Sequence, residues 1–192
     1  MVSNDRLKAQ NRFKELADRD DWLVLDTETT GIEVNDEVVS IAIVSAAGEV
    51  LLHELVRPTQ PISPEARMVH GITAERVATA AAFSDLYPRL VELLAGRRVL
   101  AYNASFDSKM LRQTCKRYHL TLIKAEWECV MELYAAAKGT WSKRRGFIWC
   151  KLSEACQRER VVMDSMHEAC ADAQATRRLV LAVGNRNRHS GG

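Results

Sequence analysis

The sequence predicts an α/β protein, a mixed sheet flanked by helices. Three observations predict it. Three short β-rich runs between residues 22 and 56 are joined by links too short for a crossover, so they form an antiparallel meander. A further apolar run, RRVLAYN (97–103), stands between two stretches of helical spacing. From residue 105 onward, helical segments dominate the chain. At 192 residues the chain can bury roughly two thirds of its unfolded surface in one core.

Each element has its own warrant. Residues 3–18 suit a helix capped by Ser3 or Asn4, with Leu7, Phe13 and Leu16 as sparse apolar positions, and residues 1–20 read as a helical extension laid on the domain. Trp22 to Leu25 is a short apolar strand; EVVSIAIV (37–44) and EVLLHELV (49–56) follow, linked by SAAG, a turn ending in Gly48. After the proline-punctuated RPTQPISP come short helical pieces around EARMVH and TAERV. Phe83, Leu86, Leu90, Leu93 and Leu94 have helical spacing up to Gly96, with Pro88 compatible only with a first turn. The strand at 97–103 is followed by predicted helices over 105–120, 127–139, 149–159 and 167–183, and by a polar tail at 184–192. The main unit is therefore expected over residues 21–183.

Composition narrows the setting. The five cysteines are odd in number and never form C-x-x-C, which argues against a disulfide framework or a zinc knuckle and for reduced thiols in a cytoplasmic protein. No segment approaches the roughly 20 apolar residues of a membrane span, and the charged N-terminus lacks the apolar core of a signal peptide. The net charge of +2 hides an asymmetry. Residues 1–96 carry 9 Lys+Arg against 16 Asp+Glu, whereas residues 97–192 carry 18 against 9. That division is what an acidic site beside a basic surface would leave in a sequence.

The acidic site has an address. In LVLDTETTG (23–31) the apolar run ends in Asp26 and Glu28, which share one face of an extended strand while Thr27 points away. Like charges so close raise each other's pKa and cost stability unless a cation neutralises them; a solvent-exposed strand end is the plainer alternative. Asp107 follows a predicted buried strand at the opening of a helix, where it could equally serve the helix dipole. Asp172 lies in a helix otherwise made of small and apolar residues, where a buried acid is expensive without a partner. His167 precedes it by five positions, and its imidazole could swing over the site if the helix has not wound there. Four carboxylates without clustered Cys or His describe a hard-cation site for Mg²⁺ or Mn²⁺. Two such ions, about 3.5–4 Å apart, clamp an in-line displacement at phosphorus.

LDTETTG, VHGIT (69–73), YNASFD (102–107) and HEACAD (167–172) together resemble the DEDDh 3′-to-5′ exonucleases of the DnaQ-like family. The resemblance implies a ribonuclease H-like fold with a five-stranded mixed sheet, its fifth strand near Ile123 or Val130. It implies two ions per site, with Asp26 bridging both, Glu28 and Asp172 completing the first and Asp107 holding the second. His167 would be the general base, taking a proton from the attacking water. Thr29 and Gly31 would lie along the terminal nucleotide, Val69 and His70 beside its base or sugar, and Phe106 beneath the penultimate position; Asn103 joins these substrate contacts. The implied products are nucleoside 5′-monophosphates, and the partner is a nucleic-acid 3′ end, DNA or RNA, taken as single-stranded. Two positions depart from the family pattern: Tyr102 stands where many members have histidine, and ECVM (128–131) replaces a common Asp-Thr pair.

GTWSKRRGFIWCK (139–151) interleaves cations with Trp141, Phe147 and Trp149, a composition that can grip a single strand or simply anchor a loop. A noncatalytic nucleic-acid-binding module with the same fold is the alternative from another functional class, and the intact acids and histidine count against it. The sequence leaves open a second copy of the chain, as a homodimer, or a polymerase as protein partner.

Overall fold

The computed structural model describes residues 2–144 and 146–186. A five-stranded sheet in the order β3-β2-β1-β4-β5 organises it. Its strands are β1 (Trp22–Thr29), β2 (Val38–Ser45), β3 (Val50–Leu55), β4 (Arg98–Ala101) and β5 (Glu126–Cys129). The first three form the expected antiparallel meander, and β4 and β5 add in parallel. The helices are α1 (Val2–Ala17), α2 (Pro64–His70), α3 (Ala74–Val77), α4 (Phe83–Leu94), α5 (Ala104–Arg117), α6 (Val130–Lys138), α7 (Leu152–Glu159) and α8 (Ala169–Asn185). A small hairpin pairs β6 (Trp141–Ser142) with β7 (Gly146–Phe147).

Both sheet faces are covered, and β1 shows how the site arises. Trp22 and Val24 pack on one face with Phe13, Tyr134 and Leu179, whereas Leu23 and Leu25 pack on the other with Ile43, Leu90 and Met110. Strand alternation carries on past Leu25, so Asp26 and Glu28 leave on the α8 side and Thr27 on the α5 side. The β1–β4 pairing covers only Trp22–Val24, while β1 runs on alongside β2 to Thr29. Beyond it, α5 takes over from β4. Asp107 Oδ1 accepts from the Thr27 N–H (3.0 Å) and from Thr27 Oγ1 (2.8 Å). The site thus opens at the C-terminal ends of parallel strands, where α/β sheets place their ligands.

Three sequence expectations need correction. The segment 127–139 is not one helix: Glu126–Cys129 is the fifth strand, paired in parallel with all of β4, and helix α6 starts directly at Val130. Its four residues alternate charge with Trp127 and Cys129 and have no turn residue after them, so α6 masks the boundary. Helix α1 begins at Val2, which puts Ser3 and Asn4 inside its first turn rather than at its cap. Pro88 is the sixth residue of α4, past the first turn, so the Ser84 carbonyl cannot receive its usual intrahelical bond.

Helix α1 contributes to the core. Phe13 and Leu16 are fully buried against α8 and the sheet, each stabilising by about 1.5–3 kcal/mol. Gly184 of α8 lets the two helices meet, because a Cβ there would collide with the Phe13 carbonyl and Ala17. All five cysteines are free thiols. Among the described residues, no helix is long and apolar enough to cross a membrane.

Candidate active site

Asp26, Glu28 and Asp172 converge: one carboxylate oxygen from each lies within 4.8 Å of the others. Asp26 and Glu28 come from the end of β1 and Asp172 from the first turn of α8. Asp107, on α5, lies outside that group: its Oδ1 accepts both bonds from Thr27, and its charge is felt by Asp26 and Glu28. Among the described residues, none of the four pairs with Lys or Arg.

Crowded, unpaired acids hold their protons. Burial, then the charges of Asp107, Asp172 and Glu28, push Asp26 well above the usual carboxylate range. Burial and the charges of Asp172 and Asp107 raise Glu28 to about 8. Burial raises Asp107 to about 7 against the opposing hydrogen bonds from Thr27. Asp172 is raised by burial in the same way, although His167 works against it. The Asp172 Oδ1 atom is buried with no hydrogen-bond partner. Hard oxygen donors that converge with one buried oxygen unsatisfied fit a divalent cation.

His167 stands just before α8, with φ of +57°, in the left-handed region that histidine enters more readily than most residues. That turn leaves the imidazole exposed and outside the helix, at the boundary of two cavities that flank the carboxylates. Glu168 caps α8 by accepting from the Ala171 N–H (3.1 Å), and its other carboxylate oxygen lies 2.9 Å from His53 Nε2 of β3. The 114 positions between His53 and Glu168 leave no local signal of this contact.

Five of the six expected substrate contacts, Thr29, Gly31, Val69, His70 and Phe106, line one cavity of about 490 Å³ beside Glu28. Its inner wall is fixed by hydrogen bonds. Thr29 Oγ1 donates to the Gly31 carbonyl (2.7 Å), and Asp36 closes the following loop by accepting from Thr30 Oγ1 and the Glu33 N–H, both at 2.7 Å. At Gly31 a Cβ would meet the Asp36 carboxylate at 2.5 Å, so a larger residue there would displace Asp36 from its bonds to Thr30 and Glu33. His70 Nδ1 accepts from the Ile72 N–H (2.9 Å), so its Nε2 carries the proton and donates to the Thr29 carbonyl (3.1 Å). Both ring nitrogens are used inside the protein, which leaves His70 its ring face to present. Burial lowers its pKa and keeps it neutral.

Asn103 is elsewhere. It lines a second cavity, of about 510 Å³, with Tyr102, Met131, Trp149, Met166 and Asp172. The two departures from the family pattern have structural partners. Tyr102 OH donates to the Cys150 carbonyl (2.8 Å), and Glu128 of β5 forms a two-pronged pair with Arg12 of α1, both contacts at 2.7 Å.

Comparison with known proteins agrees with this geometry. Residues 23–180 match the RNase T family, described as exonucleases. An uncharacterized exonuclease, CP81, of Escherichia phage 186 is 34% identical over 171 residues, covering 85% of this chain and 88% of that protein. Among solved structures, E. coli exonuclease I in its zinc-bound complex with single-stranded DNA superposes with a TM-score of 0.73 at 18% identity, over 88% of this chain and 41% of that one. Exonuclease X in complex with 5′-overhanging duplex DNA gives 0.60 at 23% identity, over 89% and 94%. At those identities the structures speak for the ribonuclease H-like fold alone.

Proposed function

The chain belongs to the RNase T/DnaQ-like DEDDh family of 3′-to-5′ exonucleases, and we propose that it hydrolyses the terminal phosphodiester bond of DNA or RNA 3′ ends to release nucleoside 5′-monophosphates. The observation that carries this reading is the convergence of Asp26, Glu28 and Asp172 without a compensating cation. Asp26, Glu28 and Asp172 would hold one Mg²⁺ or Mn²⁺, and Asp26 with Asp107 a second, two ions per site. When bound, such ions polarise the scissile phosphoryl group and ease deprotonation of water.

The chain's own residues do the rest. Thr29, Gly31, Val69 and His70 enclose the terminal nucleoside, and Phe106 lies beneath the penultimate position, by shape and ring faces that any base satisfies. His167, unencumbered by the helix that follows it, receives the proton of the attacking water as general base. We take residues 21–183 as the working unit, with 1–20 as its helical extension; of the stretch 184–192, Gly184 and Asn185 belong to α8, and residues 187–192 lie outside the described residues.

The test is digestion of 5′-labelled DNA and RNA oligonucleotides with Mg²⁺, Mn²⁺ or EDTA. A metal-dependent ladder shortening from the 3′ end is expected. Tight binding without degradation would overturn the reading in favour of a noncatalytic module.

A further inference from the structure

Three cavities meet at the carboxylate cluster, and a polymer cut there must leave through one that the terminal nucleotide does not fill. One exit is walled by Glu28, Glu54 and Glu168, with Arg76 as its one fixed cation. Acidic walls repel a phosphate backbone. The other is the 510 Å³ groove, with Trp149, Met131, Met163 and Met166 along its sides, Lys151 at its edge and Asp172 at its inner end. That volume lies within the roughly 300–1,000 Å³ of small-ligand sites.

The groove shows large apolar side chains to water. Trp149 and Met166 are each 62% exposed and the neighbouring Ile148 49%, and exposed apolar surface beside a site marks a binding face. The Tyr102 hydroxyl fixes the backbone of this segment by donating to the Cys150 carbonyl, next to Trp149.

We propose that this groove seats the unpaired nucleotides that lie 5′ of the penultimate one, with a base stacked on Trp149 and the phosphates drawn by Lys151. It rests on the exonuclease reading above. A base must be unpaired to offer its face to the indole, so the groove favours single-stranded 3′ ends over duplex ones.

The test compares wild type with Trp149→Ala and Trp149→Phe on a 5′-labelled single-stranded DNA oligonucleotide, on the same oligonucleotide with abasic sites at the third and fourth positions from the 3′ end, and on a blunt duplex. Binding is followed by fluorescence anisotropy alongside digestion. Trp149→Ala should raise KM and Kd for the intact single strand roughly 10-fold, leave kcat within about twofold, and have no effect on the abasic strand; Trp149→Phe should restore most of the loss. Equal losses on intact and abasic strands, no loss on either, or a larger loss on the duplex would overturn the proposal. If wild type binds but releases no nucleotide, the exonuclease reading fails, and the anisotropy pattern alone decides about the groove.

Discussion

Two buried acidic places in this molecule differ in how their charge is met. Glu159 of α7 accepts from Tyr134 OH (2.7 Å) and Lys138 Nζ (2.9 Å) and also pairs with Arg186, so one carboxylate ties α6, α7 and α8 together. Burial opposes its ionisation, yet the bonds from Lys138 and Tyr134 and the charges of Lys138 and Arg186 hold its pKa below the usual range. Some distance along α8, Asp172 joins Asp26 and Glu28 without a Lys or Arg partner among the described residues, and there Glu28 rises to about 8. The first acid is built to stay charged in the folded protein alone. The second group is built to become charged when a cation arrives.

Removing an acid should therefore act in opposite ways at the two places. Asp26→Asn should lower nuclease activity by roughly 10³-fold or more while leaving the urea midpoint in EDTA unchanged or higher; a large loss of stability would break the contrast. His167→Ala should lower kcat by about 10²–10⁴-fold with Mn²⁺ affinity retained, and lost Mn²⁺ binding would mean that the imidazole is a ligand rather than a base. Glu159→Ala should cost about 1–3 kcal/mol of stability, because Lys138 and Arg186 can still reach water, and should preserve metal-dependent cleavage. Reduced metal affinity in that variant would erase the distinction.

The pH dependence sharpens the same contrast. Glu28 binds its proton more tightly folded than unfolded, so its contribution is fully present below the ordinary carboxylate pKa and is lost as pH rises toward about 8. In EDTA, thermal stability should fall across that window, and the fall should shrink in Glu28→Gln. A stability that rises there would contradict the assignment. The smallest effect is expected at His53, which reaches the turn that carries His167 through Glu168. His53→Ala should reduce kcat on the order of 10-fold or less, with KM unchanged.

The sequence made β1 legible because its apolar run and the period of two place Asp26 and Glu28 on one face without further information. The same rule sends Thr27 the other way, but nothing local says that it meets Asp107, since that contact depends on where β4 stops pairing. Strand β5 was hidden for a related reason: EWEC is a short edge strand whose residues also suit the helix that follows. Thr29, Gly31, Val69, His70 and Phe106 line one cavity while Asn103, at the start of α5, lines the Trp149 groove, a division that spacing along the chain does not signal. His70 accepts from the Ile72 N–H inside its own turn, a contact of near neighbours in the chain, but its bond to the Thr29 carbonyl spans 41 positions and has no local signal.

The central claim is that the carboxylate cluster is a cation site held protonated until it is filled. Calorimetric titration of Mn²⁺ at pH 7, in two buffers of different ionisation enthalpy, tests it most directly. Wild type should bind with net proton release and Asp26→Asn should bind weakly or not at all. Absence of binding in wild type, or binding with no protons released, would contradict it.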